Sequence, residues 1–260
     1  MPLLRRACYT LHYETFGSGC PLFLLPGAGG DGMTWWSAGY VDELSSDFTC
    51  VLVDPPGMGG SGTPHRMEAY AVDAIAGDVL ALADALGFDR FAVWGQSAGA
   101  SVGFLLAATH PKRVAALVAS GSWPEQDEAA SRSFGSELAE AFRTEGSRAL
   151  FMRAAEDERI ELPEWGVDAD PNREVVARII DGLASYAWEE HARPEQITVP
   201  TLIVVGELED PDGGAQTAAR AMPNAEAIIL PGLGHIGGWI LAATESIAAA
   251  RPFLQRTLLA

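Results

Sequence analysis

The feature that most constrains the fold is a series of short apolar runs separated by longer stretches with helical spacing. The runs predicted as strands are residues 7–15, 21–25, 48–54, 91–94, 114–120, 201–206 and 225–230. Most of them are apolar throughout, which is typical of strands buried on both faces. The alternation with helical stretches predicts the α/β class, with a mostly parallel sheet flanked by helices.

Residues 124–196 interrupt this rhythm. They are rich in Glu, Asp, Arg and Ala, with helical patterns near 136–142 and 173–188 and a loop marked by Pro163, Gly166 and Pro171. A helical excursion between two core strands is expected to lie over the ends of the sheet, where open α/β folds bind ligands. We therefore predict a core of residues 1–123 and 197–260, with a helical cap at 124–196.

Composition excludes several classes of function. The 260 residues are 48% hydrophobic and 20% charged, as in an ordinary globular enzyme, and the formal net charge of −18 argues against a nucleic-acid partner. The three cysteines have no paired spacing and no nearby histidine cluster, so neither a disulfide framework nor a metal site is expected. No segment has signal-peptide character or approaches the roughly 20 apolar residues of a membrane span, so we expect a cytoplasmic protein without a membrane partner.

One serine is placed as a nucleophile would be. The run Phe-Ala-Val-Trp-Gly-Gln-Ser-Ala-Gly at 91–99 joins a predicted strand to a predicted helix, with Gly95 and Gly99 on either side of Ser97. Small residues at these positions permit a sharp turn that displays the serine hydroxyl. Because the chain has 28 glycines, this pattern could also be an idle turn, and the surrounding motifs must decide.

A glycine-rich loop follows the strand at 21–25. Its sequence, Pro-Gly-Ala-Gly-Gly at 26–30, lacks the Lys-Ser/Thr ending of a phosphate loop. Backbone N–H groups in such a loop can stabilise a developing oxyanion. We expect the donors to be Ala28 and Ala98, with Gly29 as the alternative to Ala28.

An acid and a histidine follow the last two predicted strands. Glu209 and Asp210 come after the strand at 201–206, and His235 lies on a glycine-flanked loop after the strand at 225–230. Such a histidine can act as general base, and a carboxylate can orient it. Asp210 is the preferred acid, and Glu209 remains open.

The order of these motifs, together with Asp-Pro-Pro-Gly-Met-Gly-Gly-Ser at 54–61, resembles the α/β-hydrolase superfamily from about residue 11 to residue 253. This resemblance implies an eight-stranded, mostly parallel sheet with a helical cap, a Ser97–His235–Asp210 triad and no cofactor. Many relatives have histidine where this chain has Pro26 and Gln96. Some take the acid from the end of the preceding strand, where this chain offers Glu125 and Asp127.

Aromatic residues near these motifs are candidates for a substrate pocket. The predicted pocket residues are Trp35, Trp36, Gln96, Trp123, Trp188 and Trp239. Aromatic walls favour an apolar or aromatic small molecule. The alternative is that several of these side chains only pack the cap against the core.

The sequence therefore predicts a cofactor-independent serine hydrolase that cleaves a carboxylic ester, lactone or thioester through an acyl-enzyme. Two alternatives remain open. The same groups could serve as acid and base in carbon–carbon cleavage, cyclisation or elimination, or the pocket could sense a ligand with little turnover. Substrate identity and oligomeric state are left open.

Overall fold

A computed structural model describes residues 2–124, 128–168 and 171–258, and its centre is an eight-stranded sheet in the order β1-β2-β4-β3-β5-β6-β7-β8. The strands are β1 (Leu3–Arg5), β2 (Thr10–Phe16), β3 (Cys20–Leu25), β4 (Phe48–Val53), β5 (Phe91–Gln96), β6 (Val114–Ser120), β7 (Thr201–Gly206) and β8 (Ala225–Leu230). The β1–β2 and β2–β4 pairs are antiparallel, and the remaining pairs are parallel. The predicted α/β class and the mostly parallel eight-stranded sheet are confirmed.

The helices connect and cover these strands. They are α1 (Gly32–Ser37), α2 (Tyr40–Leu44), α3 (Val72–Ala85), α4 (Ala98–Thr109), α5 (Glu128–Thr144), α6 (Ser147–Glu158), α7 (Glu164–Asp168), α8 (Arg173–Ala184), α9 (Trp188–His191), α10 (Gly214–Ala221), α11 (His235–Ile240) and α12 (Ala243–Leu258). Short 3₁₀ turns occur at Met67–Tyr70 and Pro194–Gln196. None of the helices in the described ranges combines the length and apolar character needed to cross a membrane.

Two apolar clusters lie on opposite faces of the sheet, and β5 contributes to both. Phe91 and Val93 join the cluster that includes α3 and α4, whereas Ala92 and Trp94 join the cluster that includes α2 and α12. Successive side chains of a strand point to opposite faces, so a strand covered on both sides must be apolar at every position. This is why the central strands read as continuous apolar runs.

In the described residues between β6 and β7 there are five helices, α5 to α9, and we call them the helical insertion. A third apolar cluster joins Ala28 and Ala98 of the core to Phe142, Leu150 and Val175 of the insertion. The insertion therefore packs on the loop after β3 and on the start of α4. The loop predicted around Gly166 is instead the short helix α7, which begins directly after Pro163, a residue compatible with a helix start.

Candidate active site

Ser97 lies in a sharp turn between β5 and α4. Its φ of 50° is positive, a conformation that costs a residue other than glycine on the order of 1 to 3 kcal/mol. A Cβ on Gly95 would lie 2.3 Å from the carbonyl carbon of Gly99, and a Cβ on Gly99 would lie 2.2 Å from the Leu25 carbonyl oxygen. Only glycine fits at either position, so the two glycines allow the close packing that holds the serine in this turn.

The loop after β3 passes directly over this turn. A Cβ on Gly27 would lie 3.4 Å from Ser97 Cβ, and the Gly30 N–H donates to the Gly27 carbonyl at 3.1 Å. Within the described residues, no acceptor takes the backbone N–H of Ala28, Gly29 or Ala98. Free donors therefore lie in the loop and at the first turn of α4, on either side of Ser97.

Glu209, not Asp210, contacts the histidine. His235 Nδ1 lies 2.6 Å from Glu209 Oε2, and the Gly206 N–H donates to Glu209 Oε1 at 2.7 Å. The Glu209 side chain is 11% exposed and the His235 side chain 39% exposed. Because a carboxylate only accepts, this contact assigns the proton to Nδ1 of a neutral imidazole and leaves Nε2 with a free lone pair.

The preference for Asp210 as the orienting acid is therefore wrong. Its carboxylate accepts the N–H groups of Gly214 at 2.6 Å and Ala215 at 3.0 Å, at the start of α10. Neighbouring side chains of the turn after β7 point in different directions, so the shift of one residue decides which carboxylate reaches the histidine. The other two candidate acids, Glu125 and Asp127, lie outside the described residues.

Ser97 and His235 both lie next to the carboxyl end of β6. The Ser97 N–H donates to the Ser120 carbonyl at 2.8 Å, and a Cβ on Gly121 would lie 3.0 Å from His235 Cε1 and 2.9 Å from Gln96 Nε2. Within the described part of the chain, no hydrogen bond joins the Ser97 hydroxyl to the histidine ring. Catalytic hydrogen bonds of this kind often tighten only when substrate binds.

Two carboxylates act on the histidine. Desolvation lowers the pKa of His235, but the hydrogen bond and charge of Glu209, together with the charge of Glu158, outweigh it. The pKa of His235 is therefore raised above its ordinary value. The imidazolium that forms when the ring accepts a proton is stabilised in this position.

Two of the predicted pocket residues lie elsewhere. Trp35 is 1% exposed and packs edge-on against Tyr40 and Trp94 in the core. Trp36 is 36% exposed and packs on Phe16, on the β2 side of the molecule. Both follow the loop in sequence, but α1 directs one into the core and the other to the surface.

The other predicted pocket residues have mixed positions. Gln96 is buried beside Gly121, and Trp239 lies near the loop, 3.3 Å from a Cβ placed on Gly30. Trp123 lies against Gly214 at the start of α10. The Trp188 indole donates to the Leu183 carbonyl at 3.1 Å and packs on Tyr186, within the insertion.

Sequence reasoning missed two insertion residues that cover the loop. Ser147 Oγ would lie 3.3 Å from a Cβ on Gly29, and Phe151 packs edge-on against Trp239 with ring centroids 6.1 Å apart. Both lie on α6, which the helical patterns near 136–142 and 173–188 did not include. In the sequence, the two residues are only four positions apart, which places them on one face of a helix but does not show what that face covers.

An apolar recess adjoins the serine turn. Its lining includes Pro26, Gly27, Ala98 and Gly99 from the core and Ile179 and Leu183 from α8. Pro26, which replaces the histidine of many relatives, therefore contributes an apolar wall. Its lining also includes Asp78, whose carboxylate binds Arg6 and Tyr9, and the other lining residues carry no charge, so the recess is suited to a hydrocarbon group.

Comparison with known proteins identifies the family. The sequence profile of the α/β-hydrolase fold matches residues 21–239, which include the loop, the serine turn, Glu209 and His235. The chain belongs to the α/β-hydrolase family. The resemblance inferred from the motifs is thereby confirmed.

Relatives of this α/β hydrolase are named as hydrolases of several kinds of bond. It is 30% identical over 242 residues to a protein of Caulobacter sp. (strain K31) provisionally named carbamate hydrolase RutD, covering 88% of each chain. It is 27% identical to a pimeloyl-[acyl-carrier protein] methyl ester esterase of Aeromonas hydrophila, covering 85% of this chain and 91% of that protein. The enol-lactonase structure from Burkholderia xenovorans LB400 superposes with a TM-score of 0.78 at 25% identity, covering 97% of this chain and 99% of the other. These relatives support hydrolase activity in general terms.

Proposed function

We propose that this protein is a cofactor-independent serine hydrolase that cleaves a carboxylic ester, lactone or thioester of an apolar small molecule through an acyl-enzyme. The observation that carries the proposal is the Glu209–His235 hydrogen bond at the sheet edge that also holds the strained Ser97 turn. An oriented histidine beside a displayed serine is the arrangement that activates a hydroxyl nucleophile.

In the proposed mechanism, the Ser97 hydroxyl attacks the substrate carbonyl while His235 Nε2 takes its proton. Glu209 keeps the ring in the required tautomer and stabilises the imidazolium. The backbone N–H of Ala98, with that of Ala28 or Gly29, stabilises the oxyanion. The imidazolium then gives its proton to the leaving group, and water activated by the same histidine hydrolyses the acyl-enzyme.

The apolar recess favours the acyl portion of the substrate as its occupant. It is bordered by Gly27, where a Cβ would lie 3.4 Å from Ser97 Cβ, and by Ala98, the residue after the proposed nucleophile. We propose that the hydrocarbon chain of the acyl group occupies this recess, which Ile179 and Leu183 also line. Fewer aromatic side chains are available to contact the substrate than the sequence predicted, because Trp35 packs in the core and Trp36 packs on Phe16.

The decisive experiment compares the wild type with Ser97→Ala on p-nitrophenyl esters of increasing acyl length, with thioesters, lactones and carbamates included. The wild type is expected to turn over at least one ester, lactone or thioester, with an optimum acyl length set by the recess. Ser97→Ala is expected to lose turnover by about 10⁴-fold or more. A fluorophosphonate should label the wild type and not the variant.

Other outcomes would replace the proposal. Retained ester turnover in Ser97→Ala would rule out the serine mechanism. Turnover confined to carbamates would keep the serine and change the substrate class. Conversion of a non-ester substrate without fluorophosphonate labelling would favour acid–base chemistry, and saturable binding of a ligand recovered unchanged would favour a sensor.

A further inference from the structure

One side chain of the insertion makes three hydrogen bonds to the segment that carries the histidine. The Glu158 carboxylate, at the end of α6, accepts the N–H groups of Gly234 at 3.1 Å, Ile236 at 2.9 Å and Gly237 at 2.8 Å. These donors surround His235, the first residue of α11. The first N–H groups of a helix have no partner within it, so a carboxylate from outside satisfies them and fixes the helix start.

Two glycines make room for this carboxylate. A Cβ on Gly234 would lie 2.5 Å from Glu158 Cδ, and a Cβ on Gly237 would lie 2.7 Å from Glu158 Oε2. A Cβ on Gly238, the next residue of the same helix, would have its nearest neighbour 3.9 Å away, at the Gly206 nitrogen. The glycines of the Gly-His-Ile-Gly sequence at 234–237 therefore leave space for the Glu158 side chain, which is at least 76 positions away in the chain.

Apolar packing supports the same contact. Ile236, Trp239 and Ile240 of α11 form a cluster with insertion residues that include Phe151 and Ile160. Ile160 of this cluster lies beside the Glu158 contacts, with its Cδ1 3.3 Å from a Cβ placed on Gly237. Charge-assisted hydrogen bonds with restricted access to water are stronger than exposed ones.

We propose that Glu158 is a positioning residue that holds His235 in register with Ser97 and Glu209. The inference rests on the proposed function, because it assigns His235 the role of general base. Glu158 touches no reacting atom and acts through the backbone of 234–237. The helical insertion thereby contributes to the orientation of the base as well as to the cover of the pocket.

The charges around the histidine make the proposal measurable. Among the described residues, the charged groups that act on His235 are Glu209, after β7, and Glu158, on α6, and both raise the pKa of His235. Removing the Glu158 charge is expected to lower that pKa while leaving the Glu209 hydrogen bond in place. The pKa reports the charge of Glu158, and kcat reports whether its contact with residues 234–237 also positions the ring.

The first test compares Glu158→Gln with Glu156→Gln, which removes the same charge from an exposed position on α6. Histidine titration is followed by NMR in a Ser97→Ala background, so this readout does not depend on turnover. We expect a lower His235 pKa in Glu158→Gln and no change in Glu156→Gln. In proteins that retain Ser97, Glu158→Gln should lower kcat by on the order of 10- to 100-fold, with little change in KM, because a displaced base reacts poorly.

A second pair tests the geometry without removing charge. Gly237→Ala pushes on the Glu158 carboxylate and should lower kcat, whereas Gly238→Ala should not. This pair also covers the case in which Glu158→Gln fails to fold.

An unchanged His235 titration in folded Glu158→Gln, or equal kcat values for the two alanine variants, would overturn the positioning role. If Ser97→Ala also loses all activity, the proposed serine mechanism is supported even though the positioning role of Glu158 is rejected. If the wild type cleaves no substrate, the NMR comparison still decides whether Glu158 acts on the histidine.

Discussion

At the scale of single residues, two adjacent acids have different tasks. Glu209 reaches back to the end of β7 and to the histidine ring, whereas Asp210 reaches forward to the first N–H groups of α10. A carboxylate bound to backbone donors at a helix start contributes stability, and one bound to an imidazole controls its protonation. Spacing alone does not distinguish these environments.

The contrast gives a matched pair of variants. Glu209→Gln is expected to lower kcat/KM by about 10³- to 10⁴-fold, because an amide in this place neither fixes the tautomer nor stabilises the imidazolium. Asp210→Asn retains an acceptor oxygen for α10 and should leave kcat/KM within about threefold of the wild type, since one hydrogen bond to a helix start changes stability rather than chemistry. Steady-state kinetics on the best ester measures both, and equal losses would contradict the assignment of Glu209.

At the scale of elements, the β5–α4 turn and the loop after β3 are packed as one unit. A Cβ on Gly99 would overlap the Leu25 and Pro26 carbonyls, so the start of α4 lies close against the beginning of the glycine-rich loop. The positions of the serine and of the free N–H donors are therefore coupled through backbone contact. A change at Gly99 should alter both.

Gly99→Ala tests this coupling. The new methyl group would overlap the Leu25 carbonyl, and overpacking of this kind costs about 1 to 3 kcal/mol of unfolding free energy. Gly77→Ala in α3, where the new Cβ meets nothing within 4 Å, is the control and should stabilise by up to about 1 kcal/mol. Urea denaturation gives the stabilities, and kcat should fall only in Gly99→Ala; normal turnover there would show that the loop tolerates displacement.

At the scale of the whole molecule, the raised pKa of His235 links proton binding to folding. The folded protein binds this proton more tightly than the unfolded chain, in which histidine titrates near 6.5. The stabilising contribution is therefore complete below pH of about 6.5 and is lost as pH rises through the folded pKa. Activity has the opposite dependence, because the base must be neutral to accept a proton.

This linkage predicts how His235→Gln behaves. The unfolding free energy of the wild type relative to the variant should be greatest near pH 5.5 and should decrease as pH rises through the raised pKa. Urea denaturation of both proteins at intervals from pH 5.5 to pH 9 measures the difference and cancels the titration of other groups. A difference that stays constant or grows with pH would contradict the raised pKa.

Much of the fold could be predicted from sequence because most strands are continuous apolar runs. The strand β1 could not, since its three residues, Leu3–Arg5, lie at the edge of the sheet and are not buried. The positions of Ser97 and His235 directly after predicted strands were enough to predict that both lie at the carboxyl end of the sheet. The choice of Glu209, the inward turn of Trp35 and the reach of Glu158 depend on side-chain direction, which composition and spacing do not encode.

The helical insertion leaves the sheet after β6 and returns at β7, and these strands are neighbours. Exchanging it for the equivalent segment of another hydrolase would leave the strand ladder continuous. Such a chimaera would nevertheless lose the acceptor for the three N–H groups at the start of α11. A replacement insertion therefore needs an acidic side chain at the position of Glu158. Choosing donor segments that carry such a residue should distinguish active chimaeras from inactive ones.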